Sequence, residues 1–255
     1  MSKNKKQIAD FVLSKEQKVG GFGFAKISPP TGEDTYFAVK ILNELQVPYK
    51  NSKTVSYVKN VEIQKNIHAK QLNHLVYLYK IFDLNEELKR VTESIVEFSE
   101  NIDSLSELYY LLRLKENLDI RIDSNEKIGN ILSSTIRKPP ECMSDCEMRI
   151  FLMNNLKLHF NRQRYIGWIQ KAQNGDGGFG FFPGSTSFLE NVYYALKSLK
   201  QLHSKPLELD KCEYFVRGCT TNNGGFGRQI SAVPKLEYTY YGIRCLKILD
   251  GMKKP

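Results

Sequence analysis

Apolar positions recur at helical spacing on both sides of a short glycine motif that occurs three times. Gly-Gly-Phe-Gly stands at 20–23, 177–180 and 224–227. Before the motif, apolar residues are spaced as on one helix face, as at Tyr165, Trp168 and Ile169. After it, a polar loop leads to a second helical stripe, which in the middle copy comprises Tyr193, Leu196, Leu199 and Leu202. Each copy therefore predicts two helices joined by a glycine turn.

The three copies align without a gap over more than thirty positions. Counted from the first glycine, position thirteen is acidic and position sixteen is tyrosine in every copy: Glu33, Glu190 and Glu237, then Tyr36, Tyr193 and Tyr240. We interpret the acids primarily as the first residues of the second helices, since a helix N-terminus favours negative charge. An internal repeat of helical hairpins is thus predicted.

The spacing between motifs predicts the number of hairpins. Phe179 and Phe226 are 47 residues apart, whereas Phe22 and Phe179 are 157 apart, or four steps of about 39. Three diverged hairpins are therefore expected, at 54–88, 91–118 and 120–160. The predicted fold is all-α, with about six hairpins or twelve helices.

Composition and charge narrow the classes of partner. The chain has 255 residues, 41% of them hydrophobic, and 37 Lys and Arg against 28 Asp and Glu, which gives a net charge of +9. An anionic partner is favoured, but the basic residues are dispersed, so no nucleic-acid partner is predicted. No apolar run reaches about 18 residues, so no transmembrane segment is expected. The absence of a signal peptide and an odd count of five cysteines predict reduced thiols and a cytoplasmic location.

The middle copy carries a family resemblance. Residues 169–180 read Ile-Gln-Lys-Ala-Gln-Asn-Gly-Asp-Gly-Gly-Phe-Gly, and 190–196 read Glu-Asn-Val-Tyr-Tyr-Ala-Leu. This pattern resembles the repeat of the protein prenyltransferase beta subunits and the squalene-hopene cyclase group. The resemblance implies an alpha-alpha toroid, with inner and outer helices around an aromatic-lined funnel that holds an isoprenoid chain. Six hairpins would close one ring, so a single domain over 1–255 is expected.

The resemblance also implies where catalytic groups would lie, and the chain departs from that pattern. Prenyltransferases hold zinc with Asp-x-Cys at the start of one inner helix and a histidine at another. The corresponding slots have the acid without the cysteine, and no histidine beside it: Glu33, Asp34 and Thr35; Glu190, Asn191 and Val192; Glu237, Tyr238 and Thr239. We expect no metal and no cofactor, and interpret Cys142 and Cys146 as structural thiols.

The cyclase signatures are missing as well. Neither Asp-x-Asp-Asp nor Asp-Asp-x-x-Asp occurs in the sequence. No catalytic residue is therefore assigned, and whether the chain is an enzyme stays open. A zinc-independent prenyltransferase or a terpenoid-processing enzyme is the activity that the resemblance would allow.

A diphosphate site is the remaining candidate. In the prenyltransferases an arginine after the glycine turn, a lysine before the inner helix and a tyrosine within it hold the diphosphate. Arg228, Lys235 and Tyr240 match these positions, and Tyr193 and Tyr36 are candidates for the funnel lining. The alternative is that the two basic residues are solvated loop charges and the tyrosines are core residues.

Three functions are consistent with these features. The first is binding, with or without transfer, of an isoprenoid or prenyl diphosphate. The second is a non-catalytic toroid that binds a peptide or partner protein on its rim. The third is a beta-like subunit that needs a separate helical-repeat partner.

Overall fold

Helices provide the regular structure of the described residues, which in this computed structural model are 3–61, 67–99, 102–118, 129–133 and 138–254. Within these ranges, extended pairing is limited to isolated bridges beside the glycine motifs, such as those of Phe22 with Glu16 and Thr31. The predicted all-α class is confirmed. The chain divides into two compact units, 1–137 and 138–255, and a single domain over 1–255 stays a prediction.

The first unit contains α1 (Lys3–Leu13), α2 (Gly32–Glu44), α3 (Ser52–Lys59), α4 (Ala69–Ile81), α5 (Asn85–Ser99) and α6 (Leu105–Leu118), with further helical residues at 129–133. The second unit contains α7 (Met143–Asn155), α8 (Arg162–Lys171), α9 (Leu189–Gln201), α10 (Leu209–Gly218) and α11 (Leu236–Lys253).

The hairpins predicted at the three motifs are confirmed as α1–α2, α8–α9 and α10–α11. The diverged hairpins at 54–88 and 91–118 correspond to α3–α4 and α5–α6. For the hairpin at 120–160, α7 is the second helix, and much of the first half lies outside the described residues. Second helices of successive hairpins pack side by side: α2 on α4 and α4 on α6 in the first unit, α7 on α9 and α9 on α11 in the second.

Glycine is required where the motif turn meets the next hairpin. Gly20 and Gly177 have φ of +92° and +85°, a region that glycine enters without steric cost. A Cβ atom on Gly20 would lie 2.2 Å from the carbonyl oxygen of Lys53, and one on Gly177 would lie 2.2 Å from that of Lys211. These contacts seat the turn against the first helix of the following hairpin, α3 or α10. The motif therefore links hairpins as well as helices.

Candidate functional site

Four tyrosines of the second unit form a cluster on the neighbouring helices α9 and α11. The tyrosine cluster consists of Tyr193, Tyr194, Tyr240 and Tyr241. The Tyr193 ring stacks on that of Tyr241, with centroids 4.7 Å apart and planes 18° apart, and lies 6.1 Å from that of Tyr240. The structure thus brings together two of the predicted residues, Tyr193 and Tyr240.

The exposure of the cluster is graded across the two helices. Tyr193 and Tyr194 are half-buried, whereas Tyr240 and Tyr241 are buried. The Tyr241 hydroxyl donates its proton to Glu237 over 2.9 Å. In the 3.3 Å hydrogen bond between the two tyrosine hydroxyls, Tyr194 is therefore the donor and Tyr241 the acceptor. Burial raises the pKa of Tyr241 well above its ordinary value. The cluster is therefore a neutral aromatic surface whose exposed part lies on α9.

Arg228 is fixed in orientation at the start of α9. Its Nε and Nη2 atoms lie 2.6 Å and 2.5 Å from Oε1 of Glu190, and the guanidinium carbon lies 3.9 Å from the centroid of the Phe188 ring. The pair with Glu190 raises the pKa of Arg228, so the side chain is always charged. No hydrogen bond within the described chain uses Nη1 of Arg228. The side chain is 38% exposed, so it is not simply a solvated loop charge.

Lys235 lies on the same loop as Arg228, at the residue before α11. Its Nζ atom is 5.8 Å from the centroid of the Tyr238 ring. Burial raises the pKa of Tyr238, and the nearby Arg228 opposes that rise. Tyr238, in the first turn of α11, is therefore close to both predicted diphosphate-binding residues. Whether Arg228 and Lys235 bind a ligand stays a prediction.

An ion pair between a partly exposed lysine and a buried glutamate, which the sequence did not indicate, lies beside the cluster. Lys197 Nζ is 2.6 Å from Glu147 Oε1, which joins α9 to α7, and Glu147 is 1% exposed. Lys197 Nζ also lies 5.9 Å from the Tyr193 ring centroid. The repeat contains a signal for this lysine, because the twentieth position after the first glycine is a cation in every copy: Lys40, Lys197 and Arg244.

Tyr36 lies in the first unit, in a packed cluster of its own. Its ring stacks on His74, with centroids 3.9 Å apart and planes 11° apart, and its hydroxyl accepts a hydrogen bond from Lys40. Burial lowers the pKa of His74 to about 3, which keeps the imidazole neutral. Tyr36 itself is 8% exposed. Its assignment as a lining residue stays a prediction.

The slots that would hold zinc in a prenyltransferase are used for folding. Thr35 and Thr239 are fully buried, and each hydroxyl accepts from the backbone N–H of its motif phenylalanine over 3.0 Å. Each also donates over 2.7 Å to the backbone carbonyl four residues earlier. Val192, which fills the middle slot, is buried as well. The two threonines therefore anchor the second helix to the turn in the first and third copies.

No cluster of three or more His, Cys, Asp or Glu side chains suited to a metal ion occurs in the part of the chain that the structure describes. Cys146 is buried, and burial raises the pKa of its thiol, which disfavours the thiolate that a metal requires. Cys142 lies 3.2 Å from the Ser144 hydroxyl.

We expect the purified protein to contain far less than one zinc per chain, because the slots at Thr35, Val192 and Thr239 offer no thiolate. Elemental analysis after exposure to zinc and exhaustive dialysis would measure this. One tightly held zinc per chain would contradict the prediction. Cys142→Ser and Cys146→Ser variants would then show whether these cysteines are its source.

Every helix within the ranges that the structure describes is too short or too polar to span a lipid bilayer. The hairpin repeat and its glycine turns place the chain in the class of α-α repeat proteins. A family model, described as the prenyltransferase alpha-alpha toroid domain, matches residues 1–79 and 142–255. The chain belongs to this family, and the predicted toroid fold is confirmed at that level.

No curated protein matches the sequence. Among solved structures, one similar chain is Candida albicans protein geranylgeranyltransferase-I complexed with GGPP, at 16% sequence identity. The similarity covers 99% of this chain and 80% of that chain, with a TM-score of 0.36.

Proposed function

We propose that the protein binds a prenyl diphosphate on the second unit, with the diphosphate at Arg228 and Lys235 and the prenyl chain against the tyrosine cluster. The observation that carries this proposal is the fixed guanidinium of Arg228. Glu190 and Phe188 hold it in one orientation, so less conformational entropy is lost when an anion binds. Hydrogen bonds from arginine to phosphate are among the stronger polar contacts in proteins.

The polar and apolar ends of such a ligand have matching surfaces along α9, because Arg228 is held at the start of this helix and Tyr193 lies one turn further on. Glu190, which holds Arg228, is three residues before Tyr193 on α9, so both lie on the same helix face. Tyr193 is half-buried, and its ring packs against the buried rings of Tyr240 and Tyr241. Burial of the prenyl chain against these rings would contribute about 0.8 kcal/mol per methylene-sized group.

The proposal concerns binding, and it assigns no catalytic residue. Transfer of the prenyl group is the reaction that the family suggests. It would proceed without the zinc-bound thiolate, since the cysteine slots hold Thr35, Val192 and Thr239. A helical-repeat partner subunit is part of the same proposal, because the resemblance is to the beta subunit of a two-subunit enzyme.

Calorimetric titration with three ligands tests the proposal: geranylgeranyl diphosphate, the uncharged geranylgeraniol and inorganic pyrophosphate. We expect the diphosphate ester to bind most tightly, because only that ligand uses both the two basic residues, Arg228 and Lys235, and the tyrosine cluster. Equal affinity for the ester and pyrophosphate would contradict a role for the tyrosines. No binding of any of the three would favour a non-catalytic toroid that binds a peptide or protein on its rim.

A further inference from the structure

A second basic surface lies in the first unit. Lys18, Lys26, Lys50 and Lys53 line an open depression with a volume of about 760 Å³, and Glu16 is the one carboxylate among its lining residues. We call this feature the lysine depression. Its walls come from the turn after α1, from the loop after the first glycine motif and from the start of α3.

Specific contacts hold these three segments together. The tight turn at Gly20 packs against the backbone of Lys53. The Nζ atom of Lys53 in turn donates a hydrogen bond to the carbonyl of Lys18 over 3.2 Å. Gln17 Nε2 donates over 3.0 Å to the carbonyl of Ala25, which ties the turn to the following loop. The lysines are therefore gathered by tertiary packing of segments that are up to 35 residues apart in sequence.

The depression is strongly electropositive. Its carboxylate, Glu16, accepts hydrogen bonds from Tyr49 over 2.7 Å and from Thr54 over 3.3 Å, and is thereby held by uncharged partners. Within the described residues, no ion pair neutralises Lys18, Lys26 or Lys50. Like charges gathered in this way repel one another, and a bound anion would relieve that repulsion.

Exposed apolar side chains stand beside these lysines. Val19 follows Lys18 and is 70% exposed, and Ile27 follows Lys26 and is 97% exposed. Phe24, on the same loop as Ile27, is also exposed. A soluble phosphate would use the lysines and leave these side chains in water. Cations with adjacent exposed apolar groups match an anionic bilayer, whose headgroups attract lysine and whose interface accepts apolar side chains.

We infer that the lysine depression, together with Val19, Phe24 and Ile27, is a docking surface for a membrane that contains anionic phospholipids. The lysines contact lipid phosphate and carboxylate groups, and the three apolar side chains enter the interface. This surface is built from the first unit alone. It depends neither on the diphosphate site nor on catalysis.

Co-sedimentation with vesicles tests the inference. The full chain should pellet with vesicles of phosphatidylcholine mixed with phosphatidylserine, and much less with phosphatidylcholine alone. A lysine at an anionic surface contributes about fivefold in affinity, so Lys26→Ala with Lys50→Ala should weaken binding about 25-fold. Ile27→Ser should weaken binding at both low and high salt, whereas the lysine effect should fade as salt screens it.

The matched control is Lys200→Ala with Lys205→Ala, which removes the same charge from exposed positions of the second unit. Equal losses of vesicle affinity in the two double variants would mean that net charge alone drives binding, and the inference of a docking surface would be wrong. The inference would also be wrong if the protein bound inorganic phosphate in a manner sensitive to Lys26 and Lys50 but failed to pellet with anionic vesicles. Circular dichroism would confirm that each variant is folded.

Discussion

The Arg228→Ala variant should bind geranylgeranyl diphosphate about ten- to a hundredfold more weakly than the unchanged protein, while its affinity for geranylgeraniol stays nearly the same. A hydrogen bond to a charged group contributes about 1.5–3 kcal/mol, which corresponds to that loss. The change also leaves the carboxylate of Glu190, now unpaired, near the anionic ligand, which adds repulsion. Calorimetry with both ligands measures the difference.

Arg217→Ala is a matched control for this experiment. Arg217 lies on α10 and pairs with Glu213, with Nη2 2.5 Å and Nε 2.7 Å from Oε1, in the same arrangement as Arg228 with Glu190. The Arg217→Ala substitution should leave the affinities for both ligands unchanged. If Arg228→Ala lowered the affinity for the alcohol as much as that for the diphosphate, the variant would have disturbed the fold. If the substitution lowered neither affinity, the diphosphate site would not be at Arg228.

Gly177→Ala should lower the free energy of unfolding by more than about 3 kcal/mol, among the larger losses for a single substitution. A left-handed backbone at a non-glycine residue costs about 1–2 kcal/mol. In addition, the new Cβ would lie 2.2 Å from both the carbonyl carbon and oxygen of Lys211, and backbone atoms cannot turn aside as a flexible side chain can. Chemical denaturation followed by circular dichroism measures the loss.

Two neighbouring glycines separate these causes. Gly184 has φ of +87° but open space around its Cβ position, so Gly184→Ala should show the backbone cost alone. Gly175 has open space and no such φ, so Gly175→Ala should change stability little. If Gly177→Ala cost no more than Gly184→Ala, the close approach of the motif to α10 would not matter for stability.

The fold could be predicted from the sequence where its signals are local. The Gly-Gly-Phe-Gly motif, the acid at the helix start and the helical spacing lie within one hairpin, so three hairpins were predicted correctly. The diverged hairpins lack the motif. Their second helices end as α2 and α9 of the motif hairpins do, without a terminal glycine. Asp83 and Lys157 follow α4 and α7 with φ of +58° and +53°, and Gln46 and His203 follow α2 and α9 with φ of +55°. A non-glycine residue in that conformation has no clear sequence signature.

The sequence predicted which helices carry the residues of the candidate site, but it predicted fewer of the contacts between their side chains. The repeat register placed Tyr193 and Tyr240 on equivalent helices, and these helices are neighbours. The rotation of each helix decides that Tyr241 stacks on Tyr193, and a Tyr-Tyr pair in sequence does not reveal it. Glu190 was interpreted as a helix-start acid, yet it also holds Arg228 from the next hairpin. Glu147 lies on a helix without the motif, so its pair with Lys197 emerges only from packing.

The buried threonines of the first and third copies cannot be exchanged for a metal-binding cysteine without loss of two hydrogen bonds each. Thr239 uses its hydroxyl both as acceptor and as donor, and thereby closes the turn on the helix. A thiolate bound to zinc has no proton to donate, and sulfur is a weak acceptor. A cysteine at this position could not ligate a metal and keep both bonds. In the first and third copies, a cysteine ligand would therefore require the turn to be held without these two bonds, as it already is in the middle copy, where Val192 fills the slot.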